Sequence, residues 1–310
     1  MNLELRCCMQ KHSSAVYALA FNPAGTLLVS GDFHGEMCLW EPGTGTLVSM
    51  LRASTEGYED SIFALAVSPD GSVLAAARRG FQLWNVATRT EFFTHQAVDV
   101  SSLAWNPDGT LFACGNDVVT IRDGKGGEAY RVLRGPTDWL LNLAWNSDGR
   151  LLAAGSGIED GRVFVWEVET ERVRAVLPDK RMSAATAIDL VFEEDDRLLI
   201  TGGYGRLLRW HIATDHVETL FDAHAGEFPT IISRDGRLAV YVAKEKERSG
   251  EESFSLHVVE VLKGRELAES KTSHDEITCM ALSGDNGLLA TADAVGRLCI
   301  WALRSHTDTV

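Results

Sequence analysis

Nine histidines, six cysteines and 44 carboxylates give this chain many groups that could act as bases, ligands or nucleophiles, so spacing decides whether they act together. A Gly-x-Ser-x-Gly elbow would expose a serine on a strained turn. His-Glu-x-x-His would put two imidazoles on one helix face, and a Gly-rich loop ending in Gly-Lys-Ser/Thr would cradle phosphate with backbone N–H groups. None of these occurs, and no Cys-x-x-Cys pair is present. Asp215-His216 and Asp222-Ala223-His224 come nearest to a carboxylate–imidazole couple, but neither has a third partner in the sequence. Cys7 and Cys8 are adjacent, and on a strand adjacent side chains point to opposite faces, which prevents a shared metal. With Cys38, Cys114, Cys279 and Cys299 they read as reduced, buried thiols of a cytosolic protein. The basic pairs Arg131/Arg134, Arg172/Arg174 with Lys180/Arg181, and Arg206/Arg209 have Glu128, Glu169, Glu171 and Asp179 nearby, as on solvated outer faces. The expectation is therefore no catalytic residue, no cofactor and no metal.

Composition narrows the partners. Net charge is −15, from 44 acids against 29 bases, a field that opposes nucleic acid and anionic membrane surfaces and favours a basic partner. Apolar residues make up 45% of the chain, enough for a packed core. No apolar run approaches the roughly 18 residues of a membrane-spanning helix. No secretion signal is expected at the N-terminus, which leaves the cytoplasm as the expected location.

The elements that would position any site are written as a repeat. Five short phrases end in tryptophan: Cys38-Leu39-Trp40, Gln82-Leu83-Trp84, Phe164-Val165-Trp166, Leu208-Arg209-Trp210 and Cys299-Ile300-Trp301. Two worn copies, Thr120-Ile121-Arg122 and His257-Val258-Val259, fill the gaps, giving steps of 44, 38, 44, 44, 49 and 42 residues. A unit of that size is one small sheet that cannot bury its faces alone, so seven of them must share one body over residues 1–310.

Within a unit, an apolar strand rich in small residues comes first, as in Val16–Phe21, Ile62–Val67 and Leu140–Trp145. Both its faces are apolar, as for a strand buried on two sides, and its alanines suit crowding near an axis. Turn phrases follow: Asn22-Pro23-Ala24-Gly25, Ser68-Pro69-Asp70-Gly71, Asn106-Pro107-Asp108-Gly109 and Asn146-Ser147-Asp148-Gly149. Proline presets φ and glycine supplies the left-handed position. A second strand, the tryptophan strand and an outer strand complete four antiparallel strands per unit. No helix is expected.

This pattern resembles the WD-repeat family of β-propellers along the whole chain. The resemblance implies an all-β fold, a seven-bladed propeller of four-stranded antiparallel blades, in which the N-terminal strand completes the last blade. The stretch Leu5–His12 parallels Val217–His224, the outer strand ahead of another repeat, and only nine residues follow Trp301. Blades of the family often join a His, a Ser/Thr, an Asp six residues before the Trp, and that Trp by hydrogen bonds. Here His12, His95, His224 and His274 match the first place, while Tyr58 and Pro136 replace it elsewhere. The Asp place holds His34, Arg78, Tyr204 and Val295, with only Asp160 fitting, so no blade is expected to hold the full set.

The resemblance also implies a site. Residues flanking the first apolar position of each innermost strand line the mouth of the channel, here Ala15/Tyr17, Ser61/Phe63, Asp99/Ser101, Trp139/Leu141, Thr186/Ile188, Gly226/Phe228 and Glu276/Thr278. Tyr17, Phe63, Trp139 and Phe228 are aromatic, Leu141 is aliphatic, and Asp99 and Glu276 are acidic. Such a rim suits a Lys or Arg anchor from a partner, through cation–π contact and charge pairing. The other reading packs these aromatics between neighbouring blades. Trp139 is the leading candidate, because its repeat already supplies Trp145 and Trp166. A charged insertion, Lys244–Glu252, should project on the same face, as should the loop Gly155–Gly161. The expected function is a non-catalytic scaffold binding a protein or peptide at this rim, as a monomer or a subunit of a hetero-complex. Two alternatives stand beside it. One is an enzyme or small-molecule sensor using the axial channel, with Asp99, Glu276 or His34 as polar participants; the other is a structural subunit whose outer blade edges carry the contacts.

Overall fold

The turn phrases close hairpins through one repeated hydrogen bond. The side-chain oxygen of Asn22, Ser68, Asn106, Asn146, Ser233 or Ser283 accepts the backbone N–H five residues on, at 2.8–2.9 Å. The glycine inside the turn takes φ 67° at Gly25 and 76° at Gly71, backbone that a Cβ would strain. A few residues thus fix each hairpin, and the flanking apolar runs must pair.

The structure, a computed structural model, describes residues 1–52, 61–96, 99–157, 159–177, 187–193, 197–202, 206–223, 229–246, 252–272 and 275–304. After β1 (Asn2–Gln10), the first blade holds β2 (Val16–Phe21), β3 (Leu28–Asp32), β4 (Glu36–Glu41) and β5 (Thr46–Arg52). The second holds β6 (Ala64–Val67), β7 (Val73–Arg78), β8 (Gly80–Asn85) and β9 (Thr90–His95). The third holds β10 (Ser102–Trp105), β11 (Leu111–Gly115), β12 (Val119–Asp123) and β13 (Ala129–Leu133). The fourth has β14 (Leu140–Trp145), β15 (Leu151–Ser156), β16 (Val163–Glu167) and β17 (Arg172–Leu177). The fifth has β18 (Ala187–Phe192), β19 (Arg197–Gly202), β20 (Arg206–His211) and β21 (His216–Asp222). The sixth has β22 (Thr230–Ile232), β23 (Leu238–Lys246), β24 (Glu252–Glu260) and β25 (Arg265–Lys271). The seventh has β26 (Ile277–Leu282), β27 (Leu288–Asp293) and β28 (Arg297–Arg304).

Each sheet is antiparallel and four-stranded, and the seventh is completed by β1 in the order β26-β27-β28-β1. The seven first strands touch their neighbours all the way round, β26 meeting β2, so the ring is a closed seven-bladed propeller. Closure through the N-terminal strand, as expected, removes an open edge that would otherwise invite pairing with another chain. Where no helix was expected, a 3₁₀ turn at Val261–Lys263, the only one among the described residues, replaces the turn between β24 and β25.

The core lies between the blades. Each pair of successive sheets shares its own apolar cluster; Leu28, Trp40 and Ile300, for example, join blade seven to blade one. Val29, Leu39 and Leu74 join blades one and two. Burying each such side chain stabilises by roughly 1.5–3 kcal/mol, so a blade is stable only with both neighbours in place.

Two expectations fail here. Blade one does hold a complete hydrogen-bond network. His12 Nδ1 lies 3.0 Å from Asp32 Oδ2, His12 Nε2 lies 2.7 Å from Ser30 Oγ, and Trp40 Nε1 donates to Ser30 Oγ at 2.8 Å. The acid stands eight residues before the tryptophan rather than six, because Asp32 closes β3 and also caps the next turn, accepting His34 N and Glu36 N at 3.0 and 2.8 Å. Blade seven has half of it, Trp301 Nε1 donating to Thr291 Oγ1 at 3.1 Å. At the matching place in blade two stands Ala76, without a hydroxyl, and the Trp84 Nε1 finds no partner among the described residues.

The cysteines are not all reduced and buried. Cys8 and Cys299 form a disulfide across 291 residues of sequence. Cys8 is exposed, and Cys7 and Cys279 are half-buried. Spacing along the chain could not reveal the bond, since only ring closure sets Cys8 directly opposite Cys299.

Candidate functional site

At the start of the innermost strands the ladder is interrupted. Val16 pairs with Asp32 and Ala18 with Gly31, which leaves Tyr17 over; Leu141 and Thr278 are left over in the same way in blades four and seven. An unpaired residue at a bulge turns its side chain out of the sheet. Two bulge-level hydroxyls instead clip one blade to the next: Ser101 Oγ donates to Leu140 O at 2.7 Å, and Thr278 Oγ1 donates to Val16 O.

Apolar residues at and just before these strand starts are exposed. Tyr17 is 43% exposed, Phe63 44%, Leu141 40% and Trp139 63%. Trp139 owes its position to its backbone. Its N–H donates to Asp138 Oδ1 at 2.7 Å, and its carbonyl accepts Gly157 N at 2.7 Å. The carboxylate of Asp138 also accepts Glu159 N at 2.9 Å, so the loop after β15 holds the Trp139 backbone while the indole stays free. Asp99 and Glu276 are exposed, on blades three and seven. Phe228 lies outside the described residues, as do Thr186, Gly226 and positions 247–251 of the charged insertion. The insertion's described ends extend β23 and β24, with Lys244 Nζ 2.6 Å from Glu252 Oε2.

Two exposed apolar residues of this mouth were missed in the sequence. Phe33 follows Asp32 in the turn between β3 and β4; its N–H donates to Ala15 O and its carbonyl accepts Ser61 Oγ, both at 2.9 Å. Its ring meets Tyr17 edge-on, 6.2 Å between centroids. Val295 takes the corresponding turn of blade seven, and its carbonyl accepts Gln10 Nε2 at 3.0 Å. An apolar residue within an otherwise polar turn was the available signal for both.

An acid inside an apolar strand was a further missed signal. Asp189 in β18 accepts Asn142 Nδ2 at 2.9 Å from blade four and Ile232 N at 2.7 Å from blade six. Burial pushes its carboxyl up to about 6, against the pull of the N–H donors of Ile232, Leu190 and Asn142. It ties three blades together at the axis.

The far end of the channel holds a cavity of 590 Å³ lined by Phe21, Trp105, Trp145 and Phe192, with Arg234 the one charged side chain of its lining among the described residues. Trp105 Nε1 and Trp145 Nε1 each donate at 3.1 Å to a carbonyl of the preceding blade, Ala66 O and Ala104 O. Among the described residues, side chains close enough to share a metal form two groups, His12/Asp32/Glu36 and His257/Glu266/Glu269. The first belongs to the blade-one network. In the second, His257 stacks on Tyr241 at 4.7 Å and Nε2 lies 2.8 Å from Ser255 Oγ. Neither group includes Asp99, Glu276 or His34.

Comparison with known proteins agrees with this architecture. The model of the WD domain, G-beta repeat, matches residues 4–41, 87–123 and 127–167. The chain is 24% identical over 300 residues to the serine-threonine kinase receptor-associated protein of Gallus gallus, covering 94% of this chain and 80% of that one. It is 29% identical over 131 residues to the small ribosomal subunit protein RACK1y of Oryza sativa subsp. japonica, 39% of this chain and 38% of that protein. It is 33% identical over 139 residues to a probable cytosolic Fe-S cluster assembly factor of Schizosaccharomyces japonicus, 36% of this chain and 22% of the other. Against these last two, the matched region spans well under half of the relative's length. No helix among the described residues is long and apolar enough to cross a membrane. Repeat matches over three stretches and seven four-stranded blades closed by the first strand together support a WD-repeat β-propeller.

Proposed function

We propose that residues 1–310 act as one propeller unit, a non-catalytic scaffold that binds a protein or peptide at the channel mouth. The observation that carries this reading is the exposure of Tyr17, Phe33, Phe63, Trp139 and Leu141 on one face. Large apolar side chains held in water at fixed backbone positions gain free energy when a partner covers them. Asp99 and Glu276, with a net charge of −15 behind them, favour a segment that presents a Lys or Arg anchor among apolar residues. The same charge disfavours nucleic acid and anionic membranes as partners. The chain works in the cytoplasm, as a monomer or as one subunit of a hetero-complex.

The alternative, an enzyme or small-molecule sensor in the axial channel, is favoured only by the far-end cavity, whose lining among the described residues offers Arg234 but no base or nucleophile pair. Peptides with a central Lys or Arg between apolar residues, titrated by fluorescence anisotropy against wild type and Trp139→Ala, test the proposal. Binding to wild type and a loss of about tenfold or more in the variant, with an unchanged melting temperature, is the expected result. Equal affinities for the two proteins would remove Trp139 from the site. Peptide binding that survives Tyr17→Ala/Phe63→Ala as well would remove the rim.

A further inference from the structure

The first and last strands of the ring are joined by a covalent bond that no feature of the proposed rim requires. Cys8 of β1 and Cys299 of β28 stand directly opposite each other, bonded across a separation of 291 residues. We propose that Cys8–Cys299 is a reversible thiol–disulfide site that clasps the propeller shut, closed by oxidised glutathione or a similar disulfide and opened by a dithiol reductant. Closing forms one S–S bond as two S–H bonds are lost. The two electrons and two protons go to the oxidising disulfide, which leaves as two thiols. Opening reverses this, and the dithiol becomes the disulfide.

Access supports reversibility. Cys8 is exposed and Cys299 half-buried, so an attacking thiolate can reach the bond without unfolding of the ring. The other cysteines are poor competitors. Cys7 sits on the opposite face of β1, packed toward blade one near Gly45 and Met9. Cys38 and Cys114 are buried and Cys279 half-buried, and burial pushes their thiols up to about 12, about 11 and about 12, away from the reactive thiolate. Exchange is thereby confined to one bond. In a reducing compartment, a bond of this kind serves sensing rather than permanent structure.

Position gives the bond its effect. β1 is the element whose pairing closes the ring, and it leads into Gln10, which bonds Val295 at the mouth, and His12, which anchors the blade-one network. With the clasp open, β1 is held by non-covalent contacts alone: its ladder to β28, the buried side chains of Leu3 and Met9, the Gln10–Val295 bond and the Glu4–Arg304 ion pair. Without a cross-link, the strand exchanges with solvent more often and the unfolded chain regains its freedom.

The full chain equilibrated with oxidised or reduced glutathione, then alkylated, digested and mapped by mass spectrometry, tests the site. A linked Cys8–Cys299 peptide after oxidation and two alkylated thiols after reduction are expected. Melting should fall by roughly 5 °C on reduction, with faster hydrogen exchange across residues 2–10. Cys8→Ser keeps the ladder, and should melt at the reduced temperature in both buffers. Three results would overturn the proposal: no linked peptide under oxidised glutathione, a linked peptide that resists reduction in the folded protein, or the same melting temperature in both states.

Discussion

Asp32 and Asp189 both accept backbone N–H groups, yet their carboxyls are driven in opposite directions. Burial pushes Asp32 up, but His12 and the Glu36 N–H more than offset it, and the carboxyl falls below the usual range. At Asp189 burial prevails and the value rises to about 6. The signs of their stability contributions therefore differ. Asp32 contributes stability that is present above the ordinary value near pH 4 and is lost as pH falls through its lower folded value. Asp189 keeps its proton in the folded state past the point where the unfolded chain releases it. Its contribution is present below about pH 4 and declines as pH rises to about 6, by an amount on the order of 3 kcal/mol. Urea unfolding of wild type and Asp189→Asn at pH 4, 5, 6 and 7 checks this. The wild type should lose ground to the variant across that window and run parallel to it above pH 7.

At the scale of the strand, hydrogen-bond networks rather than propensity distinguish one blade from another. Blade one is pinned through side chains with no solvent exposure, His12 and Asp32 both at 0%. Removing His12 takes one buried hydrogen bond from each of Asp32 and Ser30 and leaves a hole where the imidazole was, which costs about 3 kcal/mol. His12→Ala should therefore lower unfolding free energy by about that amount in a urea titration. His95→Ala in blade two should cost much less, because His95 only approaches Arg122 at 3.2 Å near the surface. Equal losses in the two variants would show that the network adds nothing to sheet packing.

For the ring as a whole, stability depends on there being no first or last sheet. Deleting residues 1–10 removes β1, two buried apolar side chains and one half of the disulfide, and reopens the edge of β28. Calorimetry should show a midpoint lower by at least about 10 °C, or no cooperative transition. An unchanged midpoint would mean that the other six interfaces suffice.

Repeat period, turn phrases and alternation were written locally, and they determined the number of blades, their strands and the closing strand. That is because each hairpin is fixed by a few consecutive residues, such as Asn22 through Leu27. The candidate rim was legible in part: Tyr17, Phe63, Trp139 and Leu141 could be placed by the family resemblance. Phe33 and Val295 could not, since only the folded turn shows on which surface their side chains end. Tertiary structure alone decided the partner of Cys8, the place of Asp32 in the blade-one network and the proton held by Asp189. Each of these depends on groups brought together from distant stretches of sequence, and on how much water reaches them there. Neither distance through space nor burial is encoded in spacing along the chain.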